Sequence, residues 1–123
     1  MSLNGIYNIV LNGGSLKANS AAVGTKPGVN LVAFNNNDDL QKWSVKPIGG
    51  AKVGNTYLIQ NAYTGLYVAP YNNTLTFSPE PYVWITTGDR SRISTVDSLN
   101  WVPSDNDELV IVTENKRNWS ILA

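Results

Sequence analysis

Neither cysteine nor histidine occurs in these 123 residues. Without cysteine there is no disulfide framework and no thiolate chemistry. Without histidine the commonest general base and the commonest metal ligand are gone, so most hydrolytic schemes fail and no enzymatic activity is expected. Nine basic and nine acidic side chains cancel, and the clustered Lys and Arg that nucleic acid or an anionic membrane requires are missing. No segment is long and apolar enough to span a bilayer. Met1 to Gly5 has neither the basic region nor the apolar stretch of a secretory signal, so a cytoplasmic protein, or one exported by an unconventional route, is expected. Nowhere is helical periodicity sustained over about ten residues. The carboxylates suggest no catalysis either. Asp105, Asp107 and Glu108 lack the regular spacing of a calcium loop, and nothing sets two carboxylates across a cleft, so this run reads as a solvated turn. Asp38-Asp39 and Lys116-Arg117, in turns before closing strands, read as solubility residues. No metal and no cofactor are expected.

What is present is a repeating pattern. Apolar residues make up 42% of the chain, enough for a core without staples, and the length suits one domain over residues 1–123. Trp43, Trp84 and Trp119 each lie in a short apolar run. Upstream, Ile9, Ile59 and Ile93 precede Leu16, Leu66 and Leu99, and each leucine is followed by a second strand-like run (Val29 to Phe34, Thr74 to Phe77, Glu108 to Val112). The expectation is three repeats, near 4–48, 49–88 and 89–123, with about four strands each and about twelve in all. Turn signals agree: Asn12-Gly13-Gly14, Tyr71-Asn72-Asn73 and the stiff bend Pro79-Glu80-Pro81, where two prolines fix φ and remove ladder donors. Units this small cannot bury an apolar face alone. Sharing one core in a closed barrel removes the exposed sheet edges, which implies an all-β fold, the β-trefoil.

The densest aromatic group lies in the second repeat, where Tyr67, Tyr71, Phe77 and Tyr82 sit beside turns. Exposed aromatics suit a sugar, because a pyranose has an apolar C–H face and a polar rim. Trp84 is open to two readings, core tryptophan of its repeat or ligand contact. Trp101, which has no tryptophan at the corresponding place in the other repeats, reads as an end-plug of the barrel in preference to a second sugar platform.

Gln41-Lys42-Trp43 matches the Gln-x-Trp signature of the ricin-B-like trefoils, and Tyr82-Val83-Trp84 and Arg117-Asn118-Trp119 are degenerate copies. The chain resembles that family over its full length. It is most similar to fungal fruiting-body members, including defence lectins that recognise α1,3-fucosylated chitobiose, a likeness that extends to Gly5-Ile6-Tyr7-Asn8-Ile9 and Leu66-Tyr67-Val68-Ala69. The resemblance implies a glycan partner, with Tyr67 or Val68, Phe77, Tyr82, Val83 and Trp84 lining one site and a role in defence. Just before the motif such lectins have amides where this chain has Glu80-Pro81. The family's galactose sites use an Asp after the leucine of the second strand, where Lys17, Tyr67 and Asn100 stand, so those sites are expected to be absent. The alternative partner is a protease, inhibited through a surface loop as in fungal trefoils of similar length, with Lys26-Pro27 or Arg90 and Arg92 as the inserted residues.

Overall fold

The computed structural model describes residues 3–11, 14–19, 28–48, 56–86, 92–104, 110–115 and 117–122. Twelve strands run through them: β1 (Gly5–Leu11), β2 (Gly14–Ala18), β3 (Val29–Ala33), β4 (Trp43–Pro47), β5 (Thr56–Asn61), β6 (Tyr67–Tyr71), β7 (Thr74–Ser78), β8 (Val83–Thr86), β9 (Ile93–Ser94), β10 (Asn100–Pro103), β11 (Val110–Thr113) and β12 (Ser120–Leu122). The one helical element among the described residues is a single 3-10 turn, Asp39–Gln41, whose start is capped by the Asp38 carboxylate accepting from the Leu40 N–H. The chain is all-β, as its alternating runs require.

The tryptophan alignment becomes a geometric repeat in the pairing of the strands. Antiparallel pairs join β12, β1, β4, β5, β8 and β9 in that order into a wall. Along it Ile121 faces Ile9, Val45 faces Ile59, and Thr86 faces Ile93. Each partner stands two residues after a tryptophan, so Ile9, Ile59 and Ile93 are equivalent, as are Trp43, Trp84 and Trp119. From the wall project the hairpins β2–β3, β6–β7 and β10–β11. They meet one another where Gly28 N–H donates to Leu75 O (2.7 Å) and Val112 N–H to Asn73 O (2.9 Å). The β6–β7 turn is a tight one, with Asn72 and Asn73 both at positive φ (46° and 66°), a conformation Asn adopts more readily than other non-glycine residues.

The leucine part of the alignment is corrected. Each tryptophan indole donates to a carbonyl on the second strand of its own unit: Trp43 to Leu16 (3.0 Å), Trp84 to Val68 (2.9 Å) and Trp119 to Trp101 (2.9 Å). Leu16 is therefore equivalent to Val68 and Trp101. Leu66 and Leu99, whose carbonyls accept from Asn61 and Thr95 N–H, correspond instead to Gly14. The space at Gly14 is tight: a Cβ there would lie 3.1 Å from the Leu31 side chain and 3.2 Å from the Val32 carbonyl, so a larger residue would need these neighbours to give by a few tenths of an ångström.

The core is built between units. Trp43 stacks on Phe77 (centroids 6.1 Å apart, 12° between planes), and Trp84 meets Trp101 edge to face (5.1 Å, 83°). Ile9, Leu16, Tyr57, Ile59, Val68, Leu75 and Ile93 close around them, all buried. Trp101 is itself 1% exposed, as the end-plug reading requires. Aromatics dominate such a core because each buries roughly 150–250 Å².

Candidate functional site

The second unit's aromatic group divides into two layers, and strand alternation decides which residue joins which. On β6, Val68 points into the core at 0% exposure, so Tyr67, Ala69 and Tyr71 turn outward. Of the two register choices, Tyr67 or Val68, it is Tyr67 that faces out. Phe77 lies opposite Val68 in β7 and is buried with it, and Trp84 is buried at the start of β8. Val68, Phe77 and Trp84 thus form the back of the site, and their side chains are corrected from ligand contacts to core. Phe77 is withdrawn because it stacks on Trp43, and Trp84 because it packs on Trp101.

The outer layer is Tyr67, Glu80, Pro81, Tyr82 and Val83. Tyr67 is half-buried and pairs across β6–β7 with Ser78, where the proline bend begins. Ser78 Oγ accepts from Glu80 N–H (3.0 Å), fixing the start of that bend, and Glu80 and Pro81 are exposed. Tyr82 is half-buried, its ring 4.9 Å from that of Trp84 at 51°. Val83 follows on the outward side of β8, 38% exposed. The Trp84 indole, bonded to the Val68 carbonyl, ties the start of β8 to β6 just after the bend.

At the equivalent place in the first unit stands Gln41, two residues before its tryptophan as Tyr82 is before Trp84. Gln41 is buried; its amide donates to Ala33 O (3.1 Å) and Asp38 Oδ2 (3.4 Å), and its Oε1 accepts from Asn35 N–H (3.0 Å). Beside it opens a cleft of about 460 Å³ lined by Lys17, Asn19, Asn30, Val32 and Leu40 among others. Lys17 Nζ lies 2.9 Å from Asp38 Oδ2. The Lys17 ammonium holds the Asp38 carboxyl below its usual range, helped by the Leu40 N–H. Asp38 is therefore not a mere solubility residue. Sequence reasoning missed this cleft because Lys17 and Asp38 meet only through the β2–β3 register. With Leu16 equivalent to Val68 and Trp101, Lys17 corresponds to Ala69 and Val102, not to Tyr67 and Asn100. None of the three is an Asp.

The remaining candidates divide between seen and unseen. Arg92 Nε donates to Asn118 Oδ1 (3.2 Å), which ties down that basic side chain. Lys26, Pro27, Arg90, Asp105, Asp107, Glu108 and Lys116 lie outside the described residues. Among the described residues no three His, Cys, Asp or Glu side chains gather in a way that could hold a metal ion, and no helix is long and apolar enough to cross a membrane.

No protein-family model matches this sequence, and comparison with curated proteins returns no match. Solved structures do match. The agglutinin of Rhizoctonia solani aligns over 99% of this chain and 97% of its own, with a TM-score of 0.78 and 20% identity. The designed threefold-symmetric protein ThreeFoil aligns over 98% and 99%, with a TM-score of 0.74 and 14% identity. The Polyporus squamosus lectin, solved with the epitope Neu5Acα2-6Galβ1-4GlcNAc, aligns over 98% of this chain and 49% of its own, with a TM-score of 0.71 and 19% identity. This chain spans about half the length of that lectin and, at 48%, of PSL1a. At these identities the likeness establishes the fold: the chain is a β-trefoil.

Proposed function

We propose that this chain binds carbohydrate and catalyses nothing, through the outer layer of the second unit. The observation that carries the reading is Tyr82, half-buried and braced on Trp84 beside a bend stiffened by two prolines, with Tyr67 turned outward on β6 opposite Ser78, where that bend begins. An aromatic held in place can cover the C–H face of a pyranose without first losing its own freedom, which is where flexible sites lose affinity. Glu80 offers a carboxylate to ring hydroxyls, and the outward run Pro81 to Val83 offers backbone groups. Support also comes from the solved neighbours, two of which are an agglutinin and a lectin holding a glycan.

The preferred ligand in this proposal is a fucosylated, GlcNAc-containing glycan such as the fucosylated N-glycan core or chitobiose, and the biological use is defence. Both extend the sequence resemblance to fruiting-body lectins. A glycan array is the test: retention on fucosylated GlcNAc-containing glycans supports the specificity, retention only on sialylated or galactose-terminated glycans overturns it, and binding to none overturns the function.

A further inference from the structure

A second recess lies between the first and second units and shares no lining residue with the face around Tyr82. It measures about 260 Å³ and is lined by Ile6, Asp39, Lys42, Ala62 and Tyr63. Two of these are apolar surfaces turned to solvent: Tyr63 is 67% exposed and Ile6 51%. A single exposed tyrosine on a turn calls for no explanation. The backbone of the turn that carries this one is held in place.

The hold comes from Asn61. Its Oδ1 accepts from both Tyr63 and Thr64 N–H (3.1 Å each), and its carbonyl accepts from Gly65 N–H (2.8 Å). Gly65 closes the turn at φ +74°, where a side chain would be strained. The same Asn61 side chain donates across the recess to Leu40 O (3.0 Å) and Lys42 O (3.3 Å), and Ala62 N–H donates to Lys42 O (2.9 Å). The Tyr63 wall is thus clamped to the Asp39–Lys42 wall. A preformed recess of this kind loses little freedom on binding.

Its polar groups set the ligand's character. Asp39 brings a carboxylate that forms no ion pair among the described residues, whereas neighbouring Asp38 is taken by Lys17. Lys42 Nζ donates to Asn36 Oδ1 (2.7 Å) and lies 3.4 Å from Asn8 Oδ1; an ammonium carries three protons, so one remains for a ligand. One acceptor charge and one donor charge sum to zero, which disfavours an anion and suits a neutral polyol able to bridge them. The volume lies below the roughly 300–1,000 Å³ of pockets for drug-sized ligands, on the scale of one sugar ring.

From this we infer that the recess is a second saccharide site, taking one neutral pyranose with its C–H face on Tyr63 and its hydroxyls on Asp39 and Lys42. The inference stands on its own geometry, and the test keeps it apart from the Tyr82 site. The ¹⁵N-labelled full chain is titrated to tens of millimolar with the methyl glycosides of GlcNAc, galactose, mannose and fucose, and separately with sialyllactose. At least one neutral glycoside is expected to move the amides of Asp39, Lys42 and Ala62 to Gly65. Tyr63→Ala, a change at an exposed position that keeps the fold, is expected to weaken that response roughly tenfold, taking roughly 60 Å² of ring surface at about 25 cal/mol/Å². Asp39→Asn is expected to weaken it too, while Tyr82→Ala leaves it as in the parent. The inference is overturned if no neutral glycoside moves these amides, if Tyr63→Ala titrates like the parent, or if sialyllactose alone acts there.

Discussion

The first and second units place different residues at one position of the same frame, and the difference separates what the fold needs from what it leaves open. In both, a tryptophan donates its indole N–H to the second strand and the residue two places on faces an equivalent isoleucine. Two residues before that tryptophan the first unit has Gln41, buried and bonded to Ala33, Asn35 and Asp38. The second has Tyr82, half out of the surface and leaning on Trp84. The glutamine closes its loop; the tyrosine presents a ring. In the third unit the position is Arg117, which is exposed. The fold constrains the tryptophan and leaves the residue two places before it available for a site.

The comparison can be broken most forcefully at its shared element. Trp84→Ala is expected to cost about 3–5 kcal/mol, as for other buried large-to-small changes, seen as a large drop in the thermal midpoint with binding lost alongside. If Trp84→Ala melted like the parent, Trp84 would not be the back of the site. Gln41→Ala comes next. It removes the hydrogen bonds to the Asn35 N–H and the Ala33 carbonyl, at about 0.5–1.5 kcal/mol for each bond lost, together with the packing of a buried side chain, so denaturant titration should show a clear loss. Tyr82→Ala should be milder. Removing the ring's contact with Trp84 is worth about 0.5–1.5 kcal/mol, and a Gln41-sized loss there would mean that the tyrosine is as structural as the glutamine.

The smallest effect concerns the first unit's ion pair. Lys17 holds the Asp38 carboxyl below its usual range, so in the folded state Asp38 gives up its proton more readily than in the unfolded chain. Its stabilisation is present above the ordinary carboxylate pKa and is lost as the pH falls through the lowered value. Asp38→Asn should melt slightly below the parent near neutral pH, with the gap closing in strong acid. A gap that widens in acid would contradict the pairing.

Much of the frame was legible in the chain because apolar periodicity is a local signal. The three tryptophans and the three isoleucines stood out as repeats, and the strand pairing puts them in register. The leucines did not, since Gly14 takes the place of Leu66 and Leu99, where a Cβ would press tightly on Leu31, a contact made across two strands. The site was half legible. Aromatic density located the second unit, but composition cannot tell inward from outward, and a shift of one residue reverses every face of a strand. That is why Val68, Phe77 and Trp84 belong to the core while Tyr67, Tyr82 and Val83 face outward or partly so. The Lys17–Asp38 cleft had no local signature at all, because it exists only once β2 and β3 are paired.

The account rests on saccharide binding by the second unit, and the direct test is a titration of one fucosylated GlcNAc-containing glycan into the parent, Tyr67→Ala, Tyr82→Ala and Lys17→Ala, each first checked for a cooperative melt. If each tyrosine covers roughly 60 Å² of sugar at about 25 cal/mol/Å², its loss weakens binding by about tenfold. Both tyrosine variants should therefore bind about tenfold more weakly, Lys17→Ala should bind like the parent, and EDTA should change none of these values. Parent-like binding by both tyrosine variants, with binding lost in Lys17→Ala, would put the site in the first unit and contradict the account.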